Sequence, residues 1–413
     1  PADADIPLAR YGDSNVGRMK TIYRRGLGHR YGRNMQTIAG VHFNYSLPES
    51  FWPGYREMLG DDVGESEFRS THYLGLVRNF RRFGWIVLYL FGASPALCKS
   101  FGGGRELSMP ELNAETWYEP YGTSLRMSDL GYNNQTQAGI AISLNRLEEY
   151  IHDLSEAIRT PEPAYEKIGV IRNGEYQQLN TNKLQIENEY YSPVRPKRVA
   201  RSGERPTAAL RRGGIEYVEI RSLDLSVSDP AGINQNTMRF IEAFLIYCLL
   251  EESPPFDAGS FEEAVQNQSL TAKRGREPGL KLARDGKPVD LSGWAREIVD
   301  KVAAVAELID RHEDDNSYAD AVSVAASHVA EPESTPSARL LQELRDADSS
   351  FFEFALDLAR RDKRYFSSIA PMPPERAQQM ENEALESIQR QRDIEAADEL
   401  SFEDYLARYF ASG

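Results

Sequence analysis

Three segments of the chain alternate between apolar and polar residues with the two-residue period of a β-strand. In Val41–Leu47 the odd positions are apolar and the even positions, including His42 and Asn44, are polar. The same alternation runs through Leu184–Tyr191 and through Ile215–Leu223. Because successive side chains on a strand point to opposite faces, we predict a strand in each segment.

The alternation also predicts which polar side chains lie together. In the second segment Gln185, Glu187, Glu189 and Tyr191 share a face, and in the third the shared face is formed by Ile215, Tyr217, Glu219 and Arg221. Val218 and Ile220 point the other way, toward a core. A carboxylate and a guanidinium side by side on a strand suit a site for a metal ion and phosphate groups.

Helical periodicity appears between and after these strands. Apolar residues recur three and four positions apart in Asn145–Ile158, where Asn145 and Glu148 are spaced for a capping box. One-sided apolar patterns also predict helices in Asn236–Leu250 and in Trp294–Ile309, and a short amphipathic helix from Ser401. We expect this last helix to dock on the body of the protein; the alternative is a peptide that binds a partner.

Other stretches are assigned from their length and turn residues. The apolar run Trp85–Phe91 is about a third of the roughly 20 residues of a membrane span, so we expect a buried strand or a short helix. We interpret Ala272–Ser292 as a loop in which Asp285-Gly286 could turn a small hairpin, and Ser327–Pro336 as a loop or linker.

Mixed strands and helices followed by mostly helical sequence indicate the α+β class. We predict a catalytic α+β region over 1–232 and a mostly helical region with a polar, acidic tail over 233–413.

Charge and cysteine content narrow the functional classes. The net charge of −15 disfavours general binding of nucleic acid or of an anionic membrane, although local arginines can still hold ATP. Only Cys98 and Cys248 occur, each in an apolar run, so we expect buried free thiols and a cytoplasmic location. Zinc-binding Cys/His spacing is absent.

One basic run could suggest nucleic-acid binding. Between Arg195 and Arg212 seven basic residues stand against the single acid Glu204. The run has no interleaved aromatic residues and the chain is acidic overall, so we reject nucleic acid as a partner.

Four long segments, in order, carry a family resemblance. They are QTIAGVHFNYSLP from Gln36, FRRFGWIVLYLFGASPALC from Phe80, TSLRMSDLGYNNQTQ from Thr123, and LQIENEYYSPVRPKRVARSGERPTAALRRGGIEYVEIRSLD from Leu184. They closely resemble glutamate–cysteine ligases of the proteobacterial type. The resemblance covers most of residues 6–232 and thins to patches beyond.

The resemblance implies a fold and a reaction. The fold is glutamine-synthetase-like, with a curved antiparallel sheet forming a funnel and helices packed outside. The reaction is ATP-dependent ligation of the γ-carboxylate of L-glutamate to L-cysteine through γ-glutamyl phosphate, the first step of glutathione synthesis. It implies Mg²⁺, or Mn²⁺ in its place, with small-molecule substrates, no membrane partner and a monomer.

The resemblance also implies a role for particular residues. His42 and Glu219 would hold metal, and Asn44 and Arg221 would bind the nucleotide. Arg126 would steady the acyl phosphate, so that Arg126 and Arg221 form the catalytic pair. Side chains implied to contact the amino-acid substrates are Tyr23, Arg24, Arg126, Tyr132 and Tyr191. The arginine-rich segment that follows Arg195 would lie beside the nucleotide.

One departure leaves alternatives open. The first residues of the chain resemble a point well inside the family's sequence, and the upstream glutamates that hold metal in the family have no counterpart here. The alternative is therefore a catalytically inactive fragment that binds only nucleotide or a partner. A related ligase that uses another amine is a third reading.

Overall fold

The structure is a computed structural model that describes residues 3–103, 107–131, 140–313 and 315–411. Within these residues no helix combines the length and the apolar composition that a membrane crossing requires. The element order mixes short strands and helices up to Asp224 and is mostly helical afterwards, which confirms the α+β class.

Helices make up most of the described structure. Their bounds are α1 Asn15–Tyr31, α2 Phe51–Leu59, α3 Glu65–Phe83, α4 Trp85–Phe91, α5 Leu147–Ala157, α6 Pro163–Glu166, α7 Pro206–Gly213, α8 Gln235–Leu250, α9 Ala258–Arg274, α10 Leu291–Glu313, α11 Ser317–Ala330, α12 Pro336–Asp346, α13 Phe351–Ser368, α14 Pro374–Ala396 and α15 Phe402–Ala411.

The strands are short and form small antiparallel sheets. They are β1 Gly40–Tyr45, β2 Ala96–Cys98, β3 Glu111–Asn113, β4 Thr116–Tyr118, β5 Ile171–Arg172, β6 Glu175–Tyr176, β7 Val194–Lys197, β8 Tyr217–Asp224, β9 Lys281–Arg284 and β10 Lys287–Asp290. The sheet orders are β1-β8-β7, β2-β4-β3, β5-β6 and β9-β10.

The β1-β8-β7 sheet has two chemically different faces. Val218 and Ile220 of β8 are fully buried and join a core cluster with Phe80, Phe240 and other residues of α3, α4, α8 and α10. Glu219 and Arg221, which alternate with them along the strand, are partly exposed on the opposite face. The predicted strands Val41–Leu47 and Ile215–Leu223 are confirmed, and so is the alternation of faces.

The predicted strand at Leu184–Tyr191 is wrong. This segment contains a 3-10 helix, Glu187–Glu189, and its polar side chains are bound to other elements. The Gln185 side chain accepts a hydrogen bond from the Leu179 amide, while the Glu187 carboxylate pairs with Arg205 in the interior. Buried polar groups with fixed partners give the same alternating pattern as a two-faced strand.

Two smaller predictions are also corrected. The capping box at Asn145 does not form, because the Asn145 amide instead bonds to the backbone of Phe256 and α5 begins at Leu147. The segment Ser327–Pro336 is not a plain loop, because α11 continues to Ala330 and a 3-10 turn follows at Pro332–Ser334.

Several assignments from turn chemistry and hydropathy are confirmed. Asp285 and Gly286 both adopt positive φ angles and join β9 to β10, as a two-residue hairpin of the primed type requires. The run Trp85–Phe91 is a buried short helix, and Cys98 and Cys248 are free thiols, Cys98 only partly buried. The division at residue 232 stays a prediction.

We expect His328 to make the stability of the protein depend on pH. This histidine on α11 is 6% exposed, and burial, followed by the charge of Arg339, lowers its pKa to about 4. Below pH about 6.5 the unfolded chain takes up a proton that the folded chain does not, so stability is full above that pH and falls toward pH 4.

The test compares wild type with His328→Gln, which keeps a polar side chain but does not titrate. Urea unfolding at pH 7.5 and at pH 5 measures the free energy of unfolding. Between these pH values wild type should lose about 1–2 kcal/mol more than His328→Gln. His312→Gln, on the exposed side of α10, is the matched control and should behave as wild type. Equal pH dependence in wild type and His328→Gln would contradict the expectation.

Candidate active site

A β-bulge in the central sheet arranges the polar residues of β1 and β8. Val41 pairs with Leu223 and Phe43 with Ile220, so His42 faces two residues of β8, Arg221 and Ser222, rather than one. A bulge of this kind redirects side chains and is common next to functional sites. Here the Nδ1 atom of His42 lies 3.2 Å from Oε1 of Glu219.

These side chains line a cavity of about 690 Å³. The sheet contributes His42 from β1, Arg195 and Lys197 from β7, and Glu219 and Arg221 from β8. The opposite wall comes from α1 and from the 3-10 helix at 187–189. The remaining rim includes Phe101, Leu130 and Gly131.

Three cations surround one carboxylate on the sheet side of this cavity. Arg195 lies directly opposite Glu219 in the antiparallel register, and Nζ of Lys197 is 3.9 Å from Oε2 of Glu219. Burial and the nearby charge of Arg221 lower the pKa of Arg195 to about 10, and burial lowers the pKa of Lys197. The cluster therefore carries excess positive charge in a poorly hydrated place.

Parts of these guanidinium groups have no protein acceptor. Arg195 donates from both terminal nitrogens to the carbonyl oxygen of Asn188, but its buried Nε has no hydrogen-bond partner within the described residues. Nε and Nη1 of Arg221 are in the same situation. Because buried donors without an acceptor are costly, this pattern favours an anionic ligand in the cavity.

The α1 wall supplies aromatic and charged side chains at helical spacing. Tyr23, Arg24, Leu27 and Tyr31 of α1 all face the cavity. The Tyr31 hydroxyl donates to the Glu189 carboxylate at 2.5 Å, and burial together with Glu189 raises the pKa of Tyr31. Arg30 adds a buried ion pair to Glu189 at 3.0 Å, which fixes the end of α1 against the 187–189 turn.

The His42 imidazole is neutral at physiological pH. Burial, with the charge of Arg221 second, lowers its pKa below the ordinary 6.5, and the weaker effect of Glu219 does not reverse this. One of its two ring nitrogens consequently keeps a lone pair without a proton near pH 7.

Six of the nine residues singled out from the sequence lie around this one cavity: Tyr23, Arg24, His42, Tyr191, Glu219 and Arg221. Tyr191 is partly buried beneath Arg221, whose guanidinium carbon is 5.7 Å from the ring centre. Asn44 is on the same face of β1, opposite Glu219, but does not line the cavity. Tyr132 lies outside the described residues.

Arg126 occupies a different place from the other arginines. Its Nε atom donates to Asp224 at 2.7 Å, and Nη1 and Nη2 donate to the carbonyl oxygen of Arg221, each at 3.2 Å. It borders a neighbouring apolar cavity of about 180 Å³ that shares Phe101, Leu130 and Gly131 with the main one. In this arrangement Arg126 positions the strand that carries Arg221.

Asp224 ties together three segments around the site. Its carboxylate also accepts hydrogen bonds from the Ala93 amide at 2.9 Å and from the hydroxyls of Ser94 and Ser124 at 2.7 and 2.9 Å. Only 2% of its side chain is exposed. Sequence reasoning did not single out Asp224, because its role depends on residues about 100 and 130 positions away.

The arginine-rich run divides into site and structural residues. Of its seven basic side chains only Arg195 and Lys197 line the cavity. Others are held in ion pairs away from it, including Arg205 with Glu187, Arg212 with Glu204 and Arg198 with Glu216. Arg195 and Lys197 are two residues apart on β7 and therefore share a face. This strand alternation is the signal that could have distinguished them from the other basic residues of the run.

The donor set allows a partial magnesium site. Among the described residues no three His, Cys, Asp or Glu side chains converge as a metal-binding group. Magnesium, however, is commonly held by one or two carboxylates together with substrate phosphates and water. Glu219, with the neutral imidazole of His42 beside it and the cationic cluster next to it, fits that kind of site.

Comparison with known proteins identifies similar chains. A family model described as glutamate-cysteine ligase matches residues 1–271. The glutamate–cysteine ligase of Alcanivorax borkumensis is 48% identical over 413 residues, covering 99% of this chain and 78% of the relative. The one from Azotobacter vinelandii is 48% identical over 417 residues, covering 100% of this chain and 78% of the relative.

A solved structure is also similar. The crystal structure of a glutamate–cysteine ligase from Francisella tularensis in complex with AMP superposes with a TM-score of 0.91 at 35% identity. The match covers 99% of this chain and 80% of that one.

We expect Asp224→Ala to destabilise the protein by about 3–5 kcal/mol, because the substitution leaves the buried Arg126 guanidinium without its counter-ion. Chemical unfolding followed by circular dichroism measures the change. Asp300→Ala, at an exposed position of α10, is the control and should change the free energy of unfolding by about 0.5 kcal/mol or less. Equal stability of the two variants would show that the Asp224 network does not hold the site together.

Proposed function

This chain belongs to the glutamate–cysteine ligase family, an ATP-dependent family of ligases, and we propose that the 690 Å³ cavity is where its reaction takes place. The reaction joins L-glutamate to L-cysteine as the first step of glutathione synthesis. The observation that carries the assignment of the site is the set of buried guanidinium donors without an acceptor, on Arg195 and Arg221, beside Glu219.

The chemistry explains why such a site is needed. A free carboxylate does not react with an amine at neutral pH, because its oxygen is a poor leaving group. Transfer of the terminal phosphoryl group of ATP to the γ-carboxylate of glutamate forms γ-glutamyl phosphate, and the amino group of cysteine then displaces phosphate. Catalysis of these steps depends mainly on positioning and on neutralising the phosphate oxygens.

We assign phosphate binding to the cations of β7 and β8. Arg221 offers Nε and Nη1, Arg195 offers Nε, and Lys197 adds an ammonium group on the same face. Charge-assisted hydrogen bonds from these donors would satisfy groups that the protein leaves unpaired. The AMP complex of the similar Francisella tularensis enzyme supports nucleotide binding by this chain.

We assign Glu219 as a ligand of the metal that accompanies ATP, Mg²⁺ or Mn²⁺, with neutral His42 as its neighbour or second ligand. When bound, the metal would neutralise charge on the transferred phosphoryl group. Lys197 and His42 meanwhile hold the Glu219 side chain in place.

The α1 wall is proposed to hold the amino-acid substrates. Tyr23, Arg24 and Tyr191 line the cavity across from or beneath the phosphate-binding cations. Arg126 would act through Arg221 and Asp224 rather than by direct contact with the acyl phosphate. Roles for Asn44 at the nucleotide and Tyr132 at cysteine remain proposals from the resemblance.

The finer architectural assignments are also proposals. The β1-β8-β7 sheet, with one face to the helices and one to the cavity, would be part of the curved funnel of a glutamine-synthetase-like fold. The two free thiols agree with a reducing compartment, so we propose a cytoplasmic enzyme. We propose that it acts as a monomer.

The proposed function is tested by phosphate release from ATP with glutamate and Mg²⁺, with and without cysteine, and by mass detection of γ-glutamylcysteine. Cysteine-dependent release and dipeptide formation are the expected results. ATP binding without either product would instead favour the nucleotide-binding fragment. Turnover with another amine in place of cysteine would favour the related ligase.

We expect Arg221→Lys to lower kcat about 100-fold or more, because lysine cannot present the two buried donors in the same plane. Steady-state kinetics measure the change. Arg211→Lys, at an exposed position of α7, is the matched control and should retain wild-type kinetics. If kcat of Arg221→Lys changes by less than about threefold, Arg221 does not bind the phosphate groups.

We expect Lys197→Met to weaken ATP binding about tenfold, the usual worth of one hydrogen bond to a charged group, while AMP binding changes little. Its ammonium group would contact phosphates that AMP lacks. Isothermal titration calorimetry with both nucleotides measures this, with Lys287→Met on the exposed hairpin as the control. Equal loss for ATP and AMP would mean that Lys197 does not contact the terminal phosphates.

A further inference from the structure

The C-terminal helix packs behind the cavity wall that α1 provides. Phe402, Leu406 and Tyr409 of α15 are buried in a small apolar cluster with Met19 and Ile22 of α1. The same cluster includes Leu179 and Ile186. Ile186 immediately precedes the 187–189 turn, so the cluster that contains α15 extends from α1 to the residue before this turn.

Tyr23 lies between the α15 cluster and the cavity. Its ring packs against the α15 cluster and also lines the cavity. Met19 and Tyr23 are four residues apart and therefore neighbours on one side of α1. A movement of α15 would be transmitted directly to Tyr23 and, through the helix, to Arg24.

Polar contacts join the start of α1 to the end of α14 and to the segment between α14 and α15. The backbone amide of Asn15, the first residue of α1, donates to Asp398 at 2.5 Å, and its side-chain amide donates to the Leu400 carbonyl at 3.0 Å. The Asp13 amide donates to Glu395 at 2.9 Å. Arg18 adds a cation–π contact, 4.4 Å above the Phe402 ring. These contacts satisfy amide donors that a helix N-terminus leaves open.

The arm that carries α15 contributes little to holding it there. Neither α13 nor α14 contains a buried residue, and α14 is exposed at every position except Glu395, which is partly exposed and accepts the hydrogen bond from Asp13. The docking of α15 is therefore maintained by its own cluster and by the contacts to the start of α1. Segments with few buried contacts open locally without global unfolding.

We propose that α15 is a detachable brace that positions Tyr23 and Arg24, so that docking of the helix and binding of the amino-acid substrate are thermodynamically coupled. The proposal rests on the proposed function for the identity of the substrate. Coupling of two sites is reciprocal. Substrate binding consequently strengthens α15 docking, and loosening α15 weakens substrate binding.

The experiment uses Leu406→Ala in the complete chain. Hydrogen exchange read by mass spectrometry should show faster exchange in α15 and in the first turns of α1, with α3 and α8 unchanged. The KM for glutamate should rise about fivefold or more while kcat stays within about twofold, as expected when uniform binding is lost. Leu406→Met should restore both values, and saturating glutamate should slow exchange in α15 of wild type.

Leu385→Ala on α14, where the side chain is 62% exposed, is the control and should change neither exchange nor KM. Faster exchange in α15 without a change in KM would overturn the proposal. If Leu406→Ala leaves α15 protected, the double variant Phe402→Ala/Leu406→Ala is measured, and continued protection with normal KM also overturns it.

Failure of the proposed function gives a different result. Wild type would then show no cysteine-dependent turnover. The support of α1 by α15 would still be tested by hydrogen exchange in α1 of Leu406→Ala. Unchanged exchange in α1 with a freed α15 would show that the helix does not support the wall.

Discussion

The structure depends on the burial of one face of strand β8. Val218 and Ile220 are fully removed from water against α3, α4 and α8, and this fixes the register of the strand, because a shift by one residue would turn the apolar pair outward. The alternating positions, Glu219 and Arg221, are thereby forced onto the face of the cavity. The hydrophobic core thus determines where the charged groups of the cavity lie.

The polar face of the same sheet is arranged for binding at a cost in stability. Arg195, Lys197 and Arg221 crowd one carboxylate, Glu219, and the pKa values of Arg195 and Lys197 are lowered by burial. Elsewhere the interior pairs its charges, as Arg30 does with Glu189 and Arg205 with Glu187. The donors of Arg195 and Arg221 without an acceptor among the described residues fit a site that a ligand completes, but Arg69 and Arg276, away from the cavity, also have such a buried Nε atom.

Contacts between distant segments hold this site in shape. Asp224 joins the end of β8 to the residues before β2 and to the 3-10 turn that carries Arg126. On the other wall, Glu189 holds Tyr31 and Arg30, and α15 packs behind Tyr23. The cavity is therefore lined by elements between residues 3 and 221, with α15 packed behind one wall, and its geometry is a property of their assembly rather than of a single motif.

The sequence by itself determined the α+β class, the strands around His42 and Glu219, the alternation of Glu219 and Arg221 with Val218 and Ile220, the Asp285-Gly286 hairpin and the docking of the last helix. These features follow from local periodicity and from turn residues that need positive φ angles. The family resemblance added the cavity residues Tyr23, Arg24 and Tyr191, which no local pattern distinguishes from ordinary half-buried side chains. Only the tertiary structure decided that 184–191 is not a strand, that Arg126 is held by Asp224, and that Arg195 and Lys197, but not the arginines after them, reach the cavity. Each of these outcomes depends on contacts between different segments of the folded chain, and an alternating polar pattern is the same whether its charges face a ligand or a buried partner.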